Sequence, residues 1–227
     1  SEMCIRDRHL IAPGFVDAHA HYPQLPVMAS YGTSLLGWLD RYTFPEESRY
    51  GDRSYAGSRA ATFLKLSLER GVTSAAIFST VHDVALEALQ ASNRDLGLNL
   101  VSGITGMDRG APDSLSVDIA AFKDINEKAI ETSRGLERFS YAITPRFALS
   151  CSEEMLDYCG QLLASDQSLL MQTHINETED EILATSALFP RASDYLDVYA
   201  SFGLLGSRSL FAHGIHNTET EYDRWAE

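Results

Sequence analysis

From residue 9 onward, short apolar and β-branched runs alternate with stretches whose apolar positions recur every three or four residues. The runs predict strands at Leu10–His19, Thr73–Thr80, Leu98–Gly103, Phe139–Thr144, Ser168–His174 and Ser209–His213. Between them, the helical period predicts Arg53–Arg70, with Ala56, Ala60, Phe63, Leu64 and Leu68 on one face, and Asp83–Asp95, with Val84, Leu86, Ala88 and Leu89. It also predicts Ser116–Arg134, carrying Ile119, Phe122, Asn126 and Ile130, and Glu153–Ala164, burying Met155, Leu156, Cys159, Leu162 and Leu163. Gly71, Gly97 and Gly135 follow the first three as stops, because glycine takes the left-handed conformation that closes a helix. Ser150-x-x-Glu153, Thr178-x-x-Glu181 and Thr218-x-x-Glu221 read as capping boxes, in which hydroxyl and carboxylate each bond the other residue's amide.

Strand, loop and helix repeated in this rhythm imply parallel pairing with right-handed crossovers. A doubly wound sheet and a barrel both satisfy it. Neither GxGxxG after the first strand nor GxxxxGK[ST] is present, which weakens the nucleotide-binding sheet. One connection is too long: Tyr22 to Asp52 spans about thirty residues where roughly two to six are usual. It carries Tyr31, Trp38, Tyr42, Phe44 and Tyr50 and a short predicted helix at Leu35–Tyr42, so it is either a lid or pocket wall, or packing for a neighbouring subunit. A second irregular piece, Phe189–Leu205, holds Tyr195, Tyr199 and Phe202 and offers no chemistry by itself.

Composition narrows the partners. The 227 residues suit one domain with a sizeable core, and 44% hydrophobic content excludes a mostly disordered chain. Eighteen Lys and Arg against 32 Asp and Glu leave a net charge of −14, which repels phosphate backbones and anionic lipid, so no nucleic acid and no membrane partner is expected. A small neutral substrate remains compatible. Cys4, Cys151 and Cys159 form no CxxC pair, as expected of idle thiols in a reducing, cytoplasmic setting. Residues 1–8 lack the apolar core of a secretory signal and are left out of the fold reading, which takes 9–227 as one barrel domain.

The candidate chemistry sits at strand ends. Asp17-Ala18-His19-Ala20-His21 closes the first strand, and alternation places His19 and His21 on one face, a pair suited to a divalent metal. Seven histidines in 227 residues also give such a pair about 0.2 times by chance, so spacing alone leaves both readings open. His174 ends the fifth strand with Glu177 three residues on: either a third ligand beside a proton-carrying carboxylate, or a polar strand end with a dipole-favoured glutamate. His213 ends the sixth, and Gly214 permits a sharp turn after it. His82, His9 and His216 lack flanking patterns and read as surface residues. Three motifs with histidine at the carboxyl end of a strand, where α/β folds place active sites, define the class as metal-assisted hydrolysis. Arg146 and Phe147, after the Pro145 break, offer a guanidinium fork and a flat face suited to a heterocycle with a carbonyl, or else are a surface arginine and a core phenylalanine.

Pro13-Gly14-Phe15-Val16-Asp17-x-His19-x-His21 resembles the first-strand signature of the amidohydrolase superfamily, and its extension through Tyr22-Pro23-Gln24 is similar to the guanine deaminase family within it. Tyr31-Gly32, Leu36-x-Trp38-Leu39, Tyr42-Thr43-Phe44-Pro45, Pro145-Arg146-Phe147-x-Leu149-Ser150-Cys151-Ser152-Glu153, His174-x-x-Glu177 and Ala212-His213-Gly214 resemble that family's later blocks, in order. The resemblance implies a (β/α)8 TIM barrel holding one zinc ion and converting guanine and water into xanthine and ammonia, in a cytoplasmic homodimer. It implies His19, His21 and His174 as metal ligands, Glu177 as proton shuttle and His213 as partner of the attacking water. It implies that Gln24, Arg146 and Phe147 read the purine, with backbone around Tyr22 and Pro23 lining it.

Against that pattern, about six of the eight strands are expected here, without the flanking β-sandwich. The family's further ligand, an aspartate after the eighth strand, is expected beyond residue 227; Asp17 is assigned no ligand role. A related amidohydrolase acting on another aminated ring, and an inactive barrel fragment serving as a scaffold, are the alternatives.

Overall fold

The computed structural model describes residues 11–32 and 34–226, so the expectations placed on Cys4, His9, Leu10 and the rest of residues 1–8 lie outside the described residues. The strands are β1 (Phe15–His21), β2 (Val72–Phe78), β3 (Asn99–Gly103), β4 (Thr105–Gly106), β5 (Phe139–Pro145), β6 (Leu170–Ile175) and β7 (Ser209–His213). The helices are α1 (Leu35–Trp38), α2 (Phe44–Glu47), α3 (Arg53–Glu69), α4 (Asp83–Asn93), α5 (Ile119–Ser133), α6 (Glu153–Ser165), α7 (Glu179–Leu188), α8 (Tyr195–Ser201) and α9 (Glu219–Ala226).

All pairings are parallel, in the order β1-β2-β3-β5-β6-β7, with β4 continuing the line of β3 and pairing β5. Sequential parallel neighbours joined by helices make a singly wound sheet, and strand twist curls it. Two contacts show how far. Gln172 on β6 donates across the interior to the Ile77 carbonyl of β2 at 3.1 Å, and the rings of His19 on β1 and His213 on β7, opposite ends of the order, lie 4.8 Å apart. The barrel expectation holds, as a partial and nearly closed one, and the doubly wound alternative does not.

The helices bury the faces their periods predict, with local differences. Ala56, Ala60 and Leu64 of α3 are fully buried, while Leu68, one turn further, is 36% exposed and lies outside the cluster they form. Gly71 and Gly135 adopt φ of +83° and +84° just past α3 and α5, the left-handed stop. Thr178 and Thr218 each form the reciprocal bonds of a capping box, with Glu181 and Glu221. Ser150 does not: its hydroxyl is held by the Phe147 carbonyl at 3.2 Å, and Ser152, directly before α6, caps by accepting from the Met155 amide. The piece read as irregular contains α8, whose Tyr195 and Tyr199 are buried in the main core between α6, α7 and β5–β7.

The long connection after β1 is mostly helical turns, with α1 and α2 joined by a wider turn at Leu39–Thr43. Leu39 and Phe44 pack with Val81, Met107, Leu115 and Phe147 in a small cluster of their own, so the segment folds back over the strand ends. Cys151 and Cys159 are free and buried, and no helix among the described residues is long and apolar enough to cross a membrane.

Candidate active site

A cavity of about 510 Å³ opens at the carboxyl ends of the strands. His19 and His21 reach it from β1, His174 from β6, Glu177 from the β6 exit and His213 from β7; Gln24, Arg146 and Phe147 line it too. Leu25, Met28, Leu35, Trp38 and Leu39 form an apolar wall, so the long connection is a pocket wall. Tyr22 and Pro23 are buried but do not line the cavity: the Tyr22 ring packs among Tyr50, Ala56 and Leu64, and its hydroxyl donates to the Ala85 carbonyl at 2.7 Å.

Local backbone aims these groups. Between Asp17 and Ala20, β1 gains one residue on β2, whose partners are Ala75 and Ile77; the bulge re-aims the end of the strand that carries both histidines. Asn176 sits at φ +50° between His174 and Glu177, a conformation asparagine tolerates better than most residues. Its side chain donates to Asn217 Oδ1 at 2.7 Å and to Glu221 Oε1 at 2.9 Å, tying the β6 exit to the β7 exit. Gly214, at φ +71°, makes the turn its position predicts.

Among the described residues, His19, His21 and His174 each offer one ligand atom within 4.8 Å of the others, a group that could hold a metal ion. His174 Nδ1 lies 2.5 Å from the Arg146 carbonyl, which places the ring proton there and leaves Nε2 bare, 2.9 Å from His21 Nε2. Nδ1 atoms of His19 and His21 are buried without hydrogen-bond partners. Burial first, then the neighbouring imidazoles (His213 among them) and Arg146, hold all three below their usual range, His19 at about 4 and His21 and His174 well below the ordinary imidazole value. They are neutral at pH 7, with lone pairs free for a cation. Converging imidazoles, two unpartnered buried nitrogens and a carbonyl that fixes the far side of the His174 ring fit a divalent metal.

Glu177 Oε2 stands 3.5 Å from His213 Nε2. Burial first, and the negative charge of Glu181 second, push the Glu177 carboxyl up to about 7 against a smaller opposing pull from Arg146. A carboxyl poised there can both take and return a proton near neutral pH. His82, read as a surface residue, is half-buried, its ring against Gly51 and its Nδ1 3.0 Å from the Thr80 hydroxyl.

Three important residues escaped the sequence reading. Phe78 is fully buried and holds the rings of His19, His21 and His174 at 5.2, 4.7 and 4.4 Å, a hydrophobic floor that a strand-end phenylalanine could have signalled. Tyr199 donates to the His174 carbonyl at 2.7 Å and accepts from the Ala148 amide at 2.9 Å. Glu47 forms a buried ion pair with Arg146; it stands two residues past the quoted Tyr42–Pro45 block, beside the equally acidic Glu46, and nothing in its spacing singles it out.

A divalent-metal site at the carboxyl rim of a (β/α) barrel is the mark of a class of hydrolases, and comparison agrees: the model of the amidohydrolase family matches residues 10–227, and the chain belongs to that family. Guanine deaminase of Escherichia coli (strain K12) is 40% identical over 218 residues, covering 96% of this chain and 50% of the relative. The solved E. coli guanine deaminase superposes with a TM-score of 0.91, covering 93% of this chain and 49% of that one. A guanine deaminase from C. acetobutylicum, solved with bound guanine in its active site, is 32% identical with a TM-score of 0.89, covering 93% of this chain and 51% of that one. The chain spans about half the length of the curated relatives it matches.

Proposed function

We propose that this chain supplies most of the catalytic barrel of a guanine deaminase, a zinc-dependent enzyme that hydrolyses guanine to xanthine and ammonia. What carries the reading is one juxtaposition: neutral imidazoles able to hold a metal, a carboxyl near pH 7 and an Arg–Phe–Gln corner all line one cavity. Relatives at 40% and 32% identity bear the same activity in their names.

His19, His21 and His174 would hold the cation, whose Lewis acidity makes water a nucleophile at neutral pH. The chain's own groups do the rest. Phe147 stacks on the flat ring, Arg146 donates to its carbonyl oxygen, and the Gln24 amide meets its polar edge. These contacts present the amino-bearing carbon to the rim. Glu177, ionised, accepts the proton released as water adds to that carbon, and passes it to the adjacent ring nitrogen. It then takes the second proton from the added hydroxyl and gives it to the departing amine, as the C–N bond breaks and a carbonyl forms. His213, neutral and beside Glu177, accepts or donates at the added oxygen and keeps the carboxyl aimed. Neutral imidazoles, an apolar wall and a phenylalanine floor keep the dielectric low, so each donor counts for more than in water.

The test is ammonia release from guanine by the full-length protein with zinc supplied. Glu177→Gln keeps the shape and loses the proton acceptor. It is expected to retain the metal and lose about 10²- to 10⁴-fold in turnover. A variant that keeps wild-type rates removes Glu177 from the shuttle role, and a metal-loaded wild type that leaves guanine untouched ends the reading.

A further inference from the structure

Glu47, at the end of α2, is fully buried, and the mechanism above gives it nothing to do. Its two oxygens serve two partners: Oε2 accepts from Arg146 Nη1 at 2.6 Å, and Oε1 accepts from Gln24 Nε2 at 3.1 Å. Neither side chain of the ion pair meets much water, Arg146 being 4% exposed and Glu47 0%. The Phe44 ring, on the same helix, lies 5.5 Å from the guanidinium carbon. Burying a pair of charges is expensive, and an apolar filler of the same shape is often as stable, so stability alone does not account for this one. What the carboxylate does is fix, from a single point, two donors that enter the cavity from different strand exits.

We propose that Glu47 is a positioning residue that sets the charge selectivity of the cavity; the inference rests on the deaminase reading and goes beyond it. By cancelling the charge of Arg146 while leaving its remaining N–H donors to the cavity, Glu47 makes the corner a site for a neutral ring carbonyl. An uncompensated guanidinium would favour an anionic oxygen instead. The difference matters on the product side. Exchanging a ring amino group for a carbonyl leaves an N–H flanked by two carbonyls, which ionises more readily than the substrate. A neutralised Arg146 lets that partly anionic product leave; a free one would retain it.

The experiment uses the full-length, zinc-loaded protein and follows KM for guanine together with competitive inhibition by xanthine. Glu47→Gln preserves shape and removes charge. It is expected to raise KM about tenfold and lower the xanthine inhibition constant about tenfold, with kcat falling less than KM rises. The gain in product affinity is expected to be larger at alkaline than at mildly acidic pH, because only the ionised product benefits. A role in stability alone would leave the substrate-to-product ratio and its pH dependence where they were, and that result in a folded variant overturns the proposal. In an Arg146→Ala background, Glu47→Gln is expected to change the ratio no further; an undiminished effect there also overturns it. Should Glu47→Gln fail to fold, Glu47→Asp keeps the charge but retracts the oxygens, and is expected to raise KM with the ratio retained; an unchanged KM overturns the positioning role. If the wild type leaves guanine untouched, the deaminase reading fails on its own. The Glu47 inference is then decided by how fast an arginine-specific dicarbonyl modifies Arg146, mapped by peptide mass. That rate is expected to rise about tenfold in Glu47→Gln, and an equal rate in both proteins overturns the inference.

Discussion

The imidazole cluster and the Arg146 corner share one cavity but are built by different means. His19, His21 and His174 stand on strands, fixed by ladder hydrogen bonds on β1 and β6, and they approach one another because the sheet curls. Arg146 and Gln24 stand on two strand exits and Glu47 on an inserted helix, and they are held by a buried ion pair and one amide hydrogen bond. The first region is geometry imposed by the fold; the second is geometry negotiated among loops. Strand-borne sites are stiff, whereas loop-borne contacts can be exchanged to change what is bound without moving the strands. The two regions therefore break differently.

The largest effect is expected at the strand-borne cluster. His174→Ala removes one of the three proposed ligands, the ring whose Nδ1 bonds the Arg146 carbonyl, and the remaining pair on β1 cannot surround a cation alone. Zinc content after dialysis is expected to fall well below one per chain in the full-length protein, and ammonia release to fall to background. Retention of stoichiometric metal would show that the cluster is not the metal centre and would dissolve the comparison.

The contrast between the regions also marks what the sequence discloses. Period and punctuation carried six of the seven strands, four helices and the glycine stops at Gly71 and Gly135, because each is decided within about a turn of chain, whereas the two-residue β4 is too short to show a period. The histidines were legible for the same reason: a strand's carboxyl end is a local feature, and three local features converge once the barrel is assumed. Ser150 misled as a cap because Ser150-x-x-Glu153 fits the capping-box pattern, whereas the actual cap, Ser152, has Met155 three residues on and shows no such pattern; the Phe147 carbonyl holds the Ser150 hydroxyl instead. Glu47 was out of reach. It pairs with a residue 99 positions away, inside a connection whose length was anomalous but whose content had no period to read. Phe78 went unremarked inside the second predicted strand and Tyr199 lay in a piece read as irregular; that both support the imidazole cluster follows only from the closure of the sheet.

A smaller effect is expected from pH, and it tests what sets the charge of Glu177, which stands between the two regions. Glu177 is faced by Glu181 from α7, which raises its pKa, by Arg146 from the β5 exit, which lowers it, and by His213 from β7, which burial keeps neutral. As proton acceptor it must be ionised. With its carboxyl near 7, activity is expected to be full above that pH and to fall about tenfold per unit below it. A bound cation pulls the limb downward, so the loaded enzyme sets its limb at or under that value. Glu181→Gln removes the neighbouring negative charge and is expected to move the limb to lower pH without changing the plateau greatly. A limb that stays put in that variant would mean burial alone tunes Glu177.

The smallest effect is expected where the regions are joined. The Tyr199 hydroxyl donates to the His174 carbonyl, at the end of β6, and accepts from the Ala148 amide, two residues after Arg146. One buried oxygen thus fastens the strand that carries His174 to the loop that carries Arg146. Tyr199→Phe keeps the ring in its core position against Phe211 and Tyr195 and leaves an N–H and a C=O short of a partner. The expected loss is about 1–3 kcal/mol of stability, read from the denaturant midpoint at unchanged slope. If the joint only holds the fold, zinc retention and KM stay at wild-type values. If it transmits position, the two shift together, with KM rising and metal leaving more readily, because the same oxygen steadies both sides. A change confined to one of them would show that the strand and the loop are placed independently, and that the hydroxyl serves whichever side moved.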